Sequence, residues 1–123
     1  MSTQRSTIGR DGETVAANWY LRAGYEIEAR NWHCREGELD IVAHRIDERG
    51  VACVVVCEVK TRSSARFGSA AEAVTRSKQY KIRAATVRYL AQRDGGPCSI
   101  RFDVAVVDRS PHGYGVRVIE GAF

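Results

Sequence analysis

No stretch of this 123-residue chain approaches the ~18 consecutive apolar residues that a membrane-spanning helix needs. The opening Met1-Ser2-Thr3-Gln4-Arg5-Ser6-Thr7 has no apolar run behind its basic residue, so no secretory leader is expected and the cytoplasm is the default compartment. Zinc-type spacing is also missing. Cys34, Cys53, Cys57 and Cys98 match no metal pattern, and a strand would set Cys53 and Cys57 about 13 Å apart, too far to share an ion. Reduced and mostly buried thiols are the expectation. His33, His44 and His112 fall in or near turns, share no ligand spacing and read as surface residues. Repeats and linker-like segments are absent as well. The length therefore suits one domain over residues 1–123, with the polar 1–11 set apart as a flexible N-terminal segment.

What is present is the balance of a soluble globular domain, 44% hydrophobic and 28% charged, with a net charge of +4 that suits a polyanionic partner. Gly12 to Ala23 carries helix formers and stops at Gly24, with Glu13, Ala17 and Tyr20 on one stripe. Tyr25 to Trp32 alternates Tyr25, Ile27 and Ala29 against Glu26, Glu28 and Arg30, the pattern of an edge strand, and His33 to Glu36 reads as a polar turn. Gly37 to Ile46 and Val51 to Thr61 read as central strands joined by the turn Asp47-Glu48-Arg49-Gly50.

A basic Ser/Gly loop, Arg62 to Ser69, leads to a short helical piece over 70–74 and then to a longer helix capped by Thr75 or Ser77 and running to Arg93. Ser99 to Asp108 and Gly115 to Glu120 supply the last two strands. The order is αβββαββ, an α/β fold with a central mixed five-stranded sheet flanked by helices. Trp19, Tyr20, Trp32 and Tyr89 are assigned to its core.

Charges interrupt the two most strand-like runs. Asp40 follows Gly37-Glu38-Leu39, and eighteen positions later Glu58 and Lys60 close the aliphatic Val54-Val55-Val56-Cys57. Strand alternation projects Glu58 and Lys60 from one face about 6.6 Å apart, and Glu38 and Asp40 likewise from theirs. On neighbouring strands, three carboxylates and one ammonium converge. A Glu-x-Lys alone is most often an exposed cross-strand pair. Following an aliphatic run and paired with Glu38-Leu39-Asp40, it reads instead as a site for a hard cation, because burying such groups unpaired costs several kcal/mol.

A carboxylate on one strand, Glu-x-Lys on the next and a preceding helix with a further Glu resemble the PD-(D/E)xK nucleases and their restriction-endonuclease-like core. Leu39 stands where that superfamily's name has proline, a residue that does no chemistry. More narrowly, Gly12-Glu13, Ala17, Tyr20-Leu21, Gly24-Tyr25, Arg30-Asn31, Gly37 to Ala43, Glu58 to Arg62 and Phe67-Gly68 are similar to the small bacterial YraN-like family. The similarity continues through Lys78, Arg101 to Val104 and Ala122-Phe123.

Phosphodiester hydrolysis needs an oxygen nucleophile and neutralisation of developing charge, and Mg²⁺ or Mn²⁺ supplies both through oxygen ligands. Asp40 and Glu58 are the expected ligands, with the Val59 carbonyl as a third. Lys60 orients the attacking water or takes its proton. Glu13 accepts a hydrogen bond from a water on the metal or holds a second ion; its bland counterpart is an acid stabilising the helix dipole. Glu38 is either a ligand or a group supporting one. Lys78 is a structural or phosphate contact, and Asp103 a ladder-end charge or the support of a neighbouring Arg.

Phosphates are expected along Arg62, Arg66, Lys78, Lys81 and Arg83. The function expected is a metal-dependent endonuclease acting on DNA, with branched or structured DNA suggested by analogy to archaeal-type Holliday-junction resolvases, and a homodimer presenting two sites. The resemblance implies a 5′-phosphate product. The alternatives are a non-catalytic nucleic-acid-binding or assembly module on the same fold, and a protein-interaction domain.

Overall fold

The computed structural model describes residues 3–63 and 74–123, without the side chains of 3–10. Helix α1 (Thr3–Arg22) precedes a meander of β1 (Glu26–Cys34), β2 (Gly37–Ile46) and β3 (Ala52–Arg62). Helix α2 (Arg76–Gln92) then leads to β4 (Cys98–Ser110) and β5 (Gly113–Ile119). The strands form one sheet in chain order, antiparallel at every pair except β3–β4. Parallel neighbours cannot be joined by a tight turn, and α2 lies in the crossover that links them. The order αβββαββ is the expected one and is consistent with a restriction-endonuclease-like core.

Each face of the sheet carries its own apolar layer. On one, Ala16, Ala17 and Tyr20 of α1 cover Ile41, Val55, Cys57, Ala105 and Val107. On the other, Ile82, Ala85 and Tyr89 of α2 cover Leu39, Val42, Val54, Val56 and Val104. Strand β3 gives side chains to both layers in alternation, which is why its sequence is a continuous aliphatic run instead of an alternating one. The four aromatic residues expected in the core pack edge-on there, Trp19 on Tyr20 and Trp32 on Tyr89. No helix among the described residues is long and apolar enough to cross a membrane.

Local chemistry sets the boundaries. Gly24, at φ 90°, ends α1, with its N–H and that of Tyr25 bonded back to Leu21 and Tyr20. The Asp47 carboxylate accepts from the N–H groups of Arg49 and Val51 and closes the β2–β3 hairpin. Thr75 caps α2 by accepting from the Lys78 N–H at 3.2 Å. Three expectations need correction. Helix α1 begins at Thr3, not Gly12, so the backbone of 3–11 continues the helix. Strand β1 continues through Cys34, which shortens the expected polar turn to Arg35-Glu36. The alternation in β1 breaks at a bulge between Ile27 and Ala29, which sends Ile27 to the α1 layer and Ala29 to the α2 layer. The helical piece expected over 70–74 lies, apart from Val74, outside the described residues.

A second irregularity positions the site. Leu39 packs in the α2 layer and Ile41 in the α1 layer although only Asp40 separates them. A regular strand would place both on one face, so β2 turns over at Asp40. Across from it, between the pairs Arg30–Ile41 and Trp32–Leu39, stands Asn31 at φ 52°, the one non-glycine left-handed residue among the described residues. Asn is one of the few side chains that tolerates this conformation.

Buried charge elsewhere is satisfied. Asp103, fully buried on β4, accepts from Tyr20 Oη at 2.6 Å, from Arg101 Nε and Nη2 at 2.8 and 2.9 Å, and from the Gly121 N–H at 3.0 Å. It supports the neighbouring arginine and ties α1 and the C-terminal residues to the sheet. Glu28 similarly takes Tyr89 Oη and the Arg93 guanidinium, fastening the end of α2 to β1. Removing one partner of such a buried pair leaves the other uncompensated. In urea titrations, Asp103→Ala is expected to lower the unfolding free energy by about 3–5 kcal/mol and Tyr20→Phe by about 1–3 kcal/mol; near-equal midpoints for Asp103→Ala and wild type would refute that role.

Candidate active site

The β2–β3 ladder ends at Ile41 opposite Cys57, so Asp40 and Glu58 are the first residues past its end and stand across from one another. In place of the next ladder bond, Asp40 Oδ2 accepts from the Val59 N–H at 2.8 Å. Side chain has replaced main chain here. Glu58 is only 5% exposed, and Asp40 is half-buried. Burial, reinforced by the charge and hydrogen-bonding proximity of Glu58, pushes the Asp40 carboxyl up to about 7 from an ordinary 3.8, against the opposing pull of the Val59 N–H. Asp40 therefore gives up its proton less readily than an ordinary carboxyl, and near neutrality much of it stays protonated.

Glu13 approaches from α1. Its Oε2 is buried without a hydrogen-bond partner among the described residues. Burial raises its pKa; a hydrogen bond with Asn31 and the nearby Arg30 lower it, while Glu38 and Glu58 raise it further. The left-handed Asn31 thus both allows the turnover at Asp40 and steadies the third acid. It was not singled out from the sequence as a site residue, although an Asn flanked by strand residues is the kind of position where left-handed backbone occurs. A methyl group at Gly12, one residue before Glu13, would overlap Thr61 Oγ1 of β3. Close approach of α1 to β3 brings Glu13 in.

The remaining expected residues divide. Lys60 pairs along β4 with Val106 and Glu58 with Val104, both in the α2 layer, so the two share a face as expected. Lys60 is half-buried and makes no ion pair among the described residues. Lys78, from the first turn of α2, sets its Nζ 2.6 Å from Glu58 Oε1. Burial alone would depress its pKa, but Glu58, Asp40 and Glu38 together hold it above the ordinary value. The sequence reads Lys78 as a structural or phosphate contact, and its pairing with an acid fits the first of these; which acid it meets is not legible, because helical periodicity does not specify which strand residue a helix meets.

Glu38 does not join Asp40 and Glu58: its side chain is 54% exposed and lies 3.2 Å from His33 Nδ1. Its charge still reaches Glu13 and Lys78. Among the described residues no three His, Cys, Asp or Glu side chains form a ready cation cage. The donor set still fits a hard cation, since Asp40 and Glu58 meet and Glu13 Oε2 is unpartnered, with main-chain carbonyl and water left to complete the oxygens.

Of the expected phosphate contacts, Arg62 is engaged with Asp108 at 2.7 Å, and Arg83 lies over the ring of Phe102 at 4.5 Å and that of Phe123 at 5.7 Å. Lys81 is exposed, beside a cleft it shares with Gly37, Glu38, Thr75 and Lys78. Arg66 lies outside the described residues. Helix α2 carries five basic residues and no acidic one of its own, and two of the five are paired with acids from the sheet side, Lys78 with Glu58 and Arg88 with Glu36. His44 lies within 3.2 Å of Glu26 and 2.8 Å of Glu28, away from the Asp40–Glu58 pair.

Residues 12–107, which include Glu13, Glu38, Asp40, Glu58, Lys60 and Lys78, match the model of the uncharacterised protein family UPF0102. A UPF0102 protein of Frankia alni is 50% identical over 121 residues, covering 97% of this chain and 96% of that one. A UPF0102 protein of Frankia casuarinae is 47% identical over 121 residues, with 97% and 98% covered. A UPF0102 protein of Moorella thermoacetica is 41% identical over 125 residues and matches both chains end to end.

A carboxyl whose folded-state pKa lies above its unfolded value binds more protons when folded, so stability falls as pH rises between the two. For Asp40 that window runs from about 4 to about 7, and Glu13 acts in the same sense. Asp40→Asn, which retains an acceptor for the Val59 N–H, is expected to flatten this slope and to exceed wild type at about pH 8 by on the order of 2 kcal/mol. Thermal melts of both proteins between about pH 4.5 and 8 check it; parallel curves would contradict the raised pKa of Asp40.

Proposed function

For this chain, which belongs to the uncharacterised protein family UPF0102, we propose a divalent-metal-dependent nuclease that hydrolyses DNA phosphodiester bonds. The observation that carries the reading is the Asp40–Glu58 pair past the end of the β2–β3 ladder, where burial and the charge of Glu58 push the Asp40 carboxyl up to about 7. Structural acids in the same molecule are neutralised by donors, as Asp103 is. Asp40 is met instead by the Val59 N–H alone, with Glu58 and Glu13 adding negative charge beside it, and a strongly perturbed carboxyl in such a place marks a functional site more often than a structural one.

Asp40 and Glu58, with the Val59 carbonyl, would hold Mg²⁺ or Mn²⁺, which when bound polarises the phosphate and makes water a better nucleophile. The chain's own groups do the rest. The Val59 N–H fixes Asp40 in orientation, so the acid is positioned before substrate arrives. Lys60, on the face of Glu58 and without a competing carboxylate, orients the attacking water by donating a hydrogen bond to its oxygen. The unpartnered Oε2 of Glu13 accepts a hydrogen bond from that water, keeping its lone pair aimed at phosphorus. Positive charge on α2 and on Lys81 receives the DNA backbone. Hydrolysis breaks one P–O bond and transfers the water's proton toward the leaving oxygen.

A small domain offers little surface for two duplex arms, and a two-fold pair with two such sites is the assembly proposed for branched or structured DNA. The cytoplasm is the proposed compartment. One observation favours the alternative of a non-catalytic nucleic-acid-binding module on the same fold: Glu58 already has a resident cation in Lys78.

Cleavage assays on single-stranded, duplex, flapped and four-way DNA, with Mg²⁺ or Mn²⁺, separate the two. Asp40→Ala and Lys60→Ala are each expected to lose at least about 100-fold in rate while still binding DNA. Binding without cleavage by any form, under either metal, would leave the binding module; equal cleavage by Asp40→Ala and wild type would point to a contaminant.

A further inference from the structure

We infer that Lys78 is an exchangeable counter-ion: it holds the Glu58 side chain in place until a divalent cation takes over that carboxylate, and the released ammonium then binds a phosphate oxygen of the substrate. This rests on the metal-dependent reading above and adds an order of events at the same site. Glu58 is 5% exposed and fixed on a central strand, so its carboxylate cannot swing out to find a cation. Lys78 is its ion-pair partner, at 2.6 Å.

The two members of the pair differ in freedom. The Lys78 side chain is 43% exposed and sits on the first turn of a helix at the wall of an open cleft, so its long stem can withdraw from Glu58 into solvent without any backbone movement. An ammonium is a compact donor on four rotatable bonds, suited to move between two oxygen acceptors. Beyond Glu58, the acids Asp40 and Glu38 also act on Lys78, so its rest position is set by the summed negative charge of the site. A divalent cation between Asp40 and Glu58 cancels that charge and repels the ammonium. What remains within reach of Lys78 is the cleft it shares with Lys81, where a phosphate would supply the replacement oxygen.

Lys78 and the cation therefore compete for one carboxylate, which inverts the usual effect of removing a site residue. Lys78→Met, with a stem of similar length and no charge, is expected to bind Mn²⁺ about 5- to 100-fold more tightly than wild type in calorimetric titration without DNA. Lys78→Arg, which keeps the charge, is expected to stay near wild type. DNA affinity of Lys78→Met in Ca²⁺ is expected to fall about tenfold. Equal or weaker Mn²⁺ binding by Lys78→Met would overturn the exchange, and mark Lys78 as an ordinary support, while leaving the metal site intact. Absence of Mn²⁺ binding by wild type and variants alike would instead remove the metal reading and this inference with it.

Should Lys78→Met fail to fold, wild-type protein gives the answer through lysine acylation read by mass spectrometry. Saturating Mg²⁺ is expected to raise the reactivity of Lys78 several-fold and leave Lys81 unchanged. An unchanged Lys78 would overturn the proposal.

Discussion

Strand β3 must be covered on both faces, and the rest of the molecule follows from how that is achieved. Its run from Val54 to Cys57 sends side chains alternately into two apolar layers, so each face needs a helix and each edge a strand. The antiparallel edge is met locally by β2 through a tight hairpin. The parallel edge requires a return path, and α2 travels along it, covering one face on the way. Helix α1 covers the other. Once the strand passes Cys57, the face that had carried Val54 and Val56 toward α2 carries Glu58 and Lys60 instead. The site is where the hydrophobic arrangement stops being satisfied by hydrophobic residues.

Two buried acids show the difference between charge used for cohesion and charge held in reserve. Asp103 receives donors from a tyrosine, an arginine and a main-chain amide, and each removes some of the cost of burial. Asp40 receives one amide and faces two other acids. The surrounding structure over-determines its position: β2 turns over beneath it, Asn31 adopts a left-handed backbone across from it, and the ladder ends beside it. Strain and repulsion of this kind persist only where packing elsewhere holds them.

Much of this was legible in the residues. The bounds of β2 and the shared face of Glu58 and Lys60 follow from alternation, and Thr75 as the cap of α2 from side-chain chemistry. Alternation also misled. It assigned Glu38 and Asp40 to one cluster, whereas Glu38 turns to His33 at the surface, because the reversal at Asp40 depends on a cross-strand neighbour that a period of two does not contain. The early start of α1 was hidden because residues 3–11 lack an apolar stripe, and nothing local distinguishes a polar helix from a polar coil. Lys78 could be placed on a helix but not against Glu58, since that contact depends on where the crossover lands. Local preferences were readable; the meeting of distant segments was not.

The close approach at Gly12 bears on how this protein can vary. The residue that lets α1 settle against Thr61 stands immediately before Glu13, so spacing between helix and sheet and the placement of an acid are set by one missing side chain. A larger residue there could be absorbed by sliding the helix outward, with the apolar layer adjusting by degrees. The carboxylate would travel with it, and a reach of a few ångströms has no such latitude. Position 12 is thus one where sequence drift can leave an intact, well-folded molecule whose chemistry has been silently detuned.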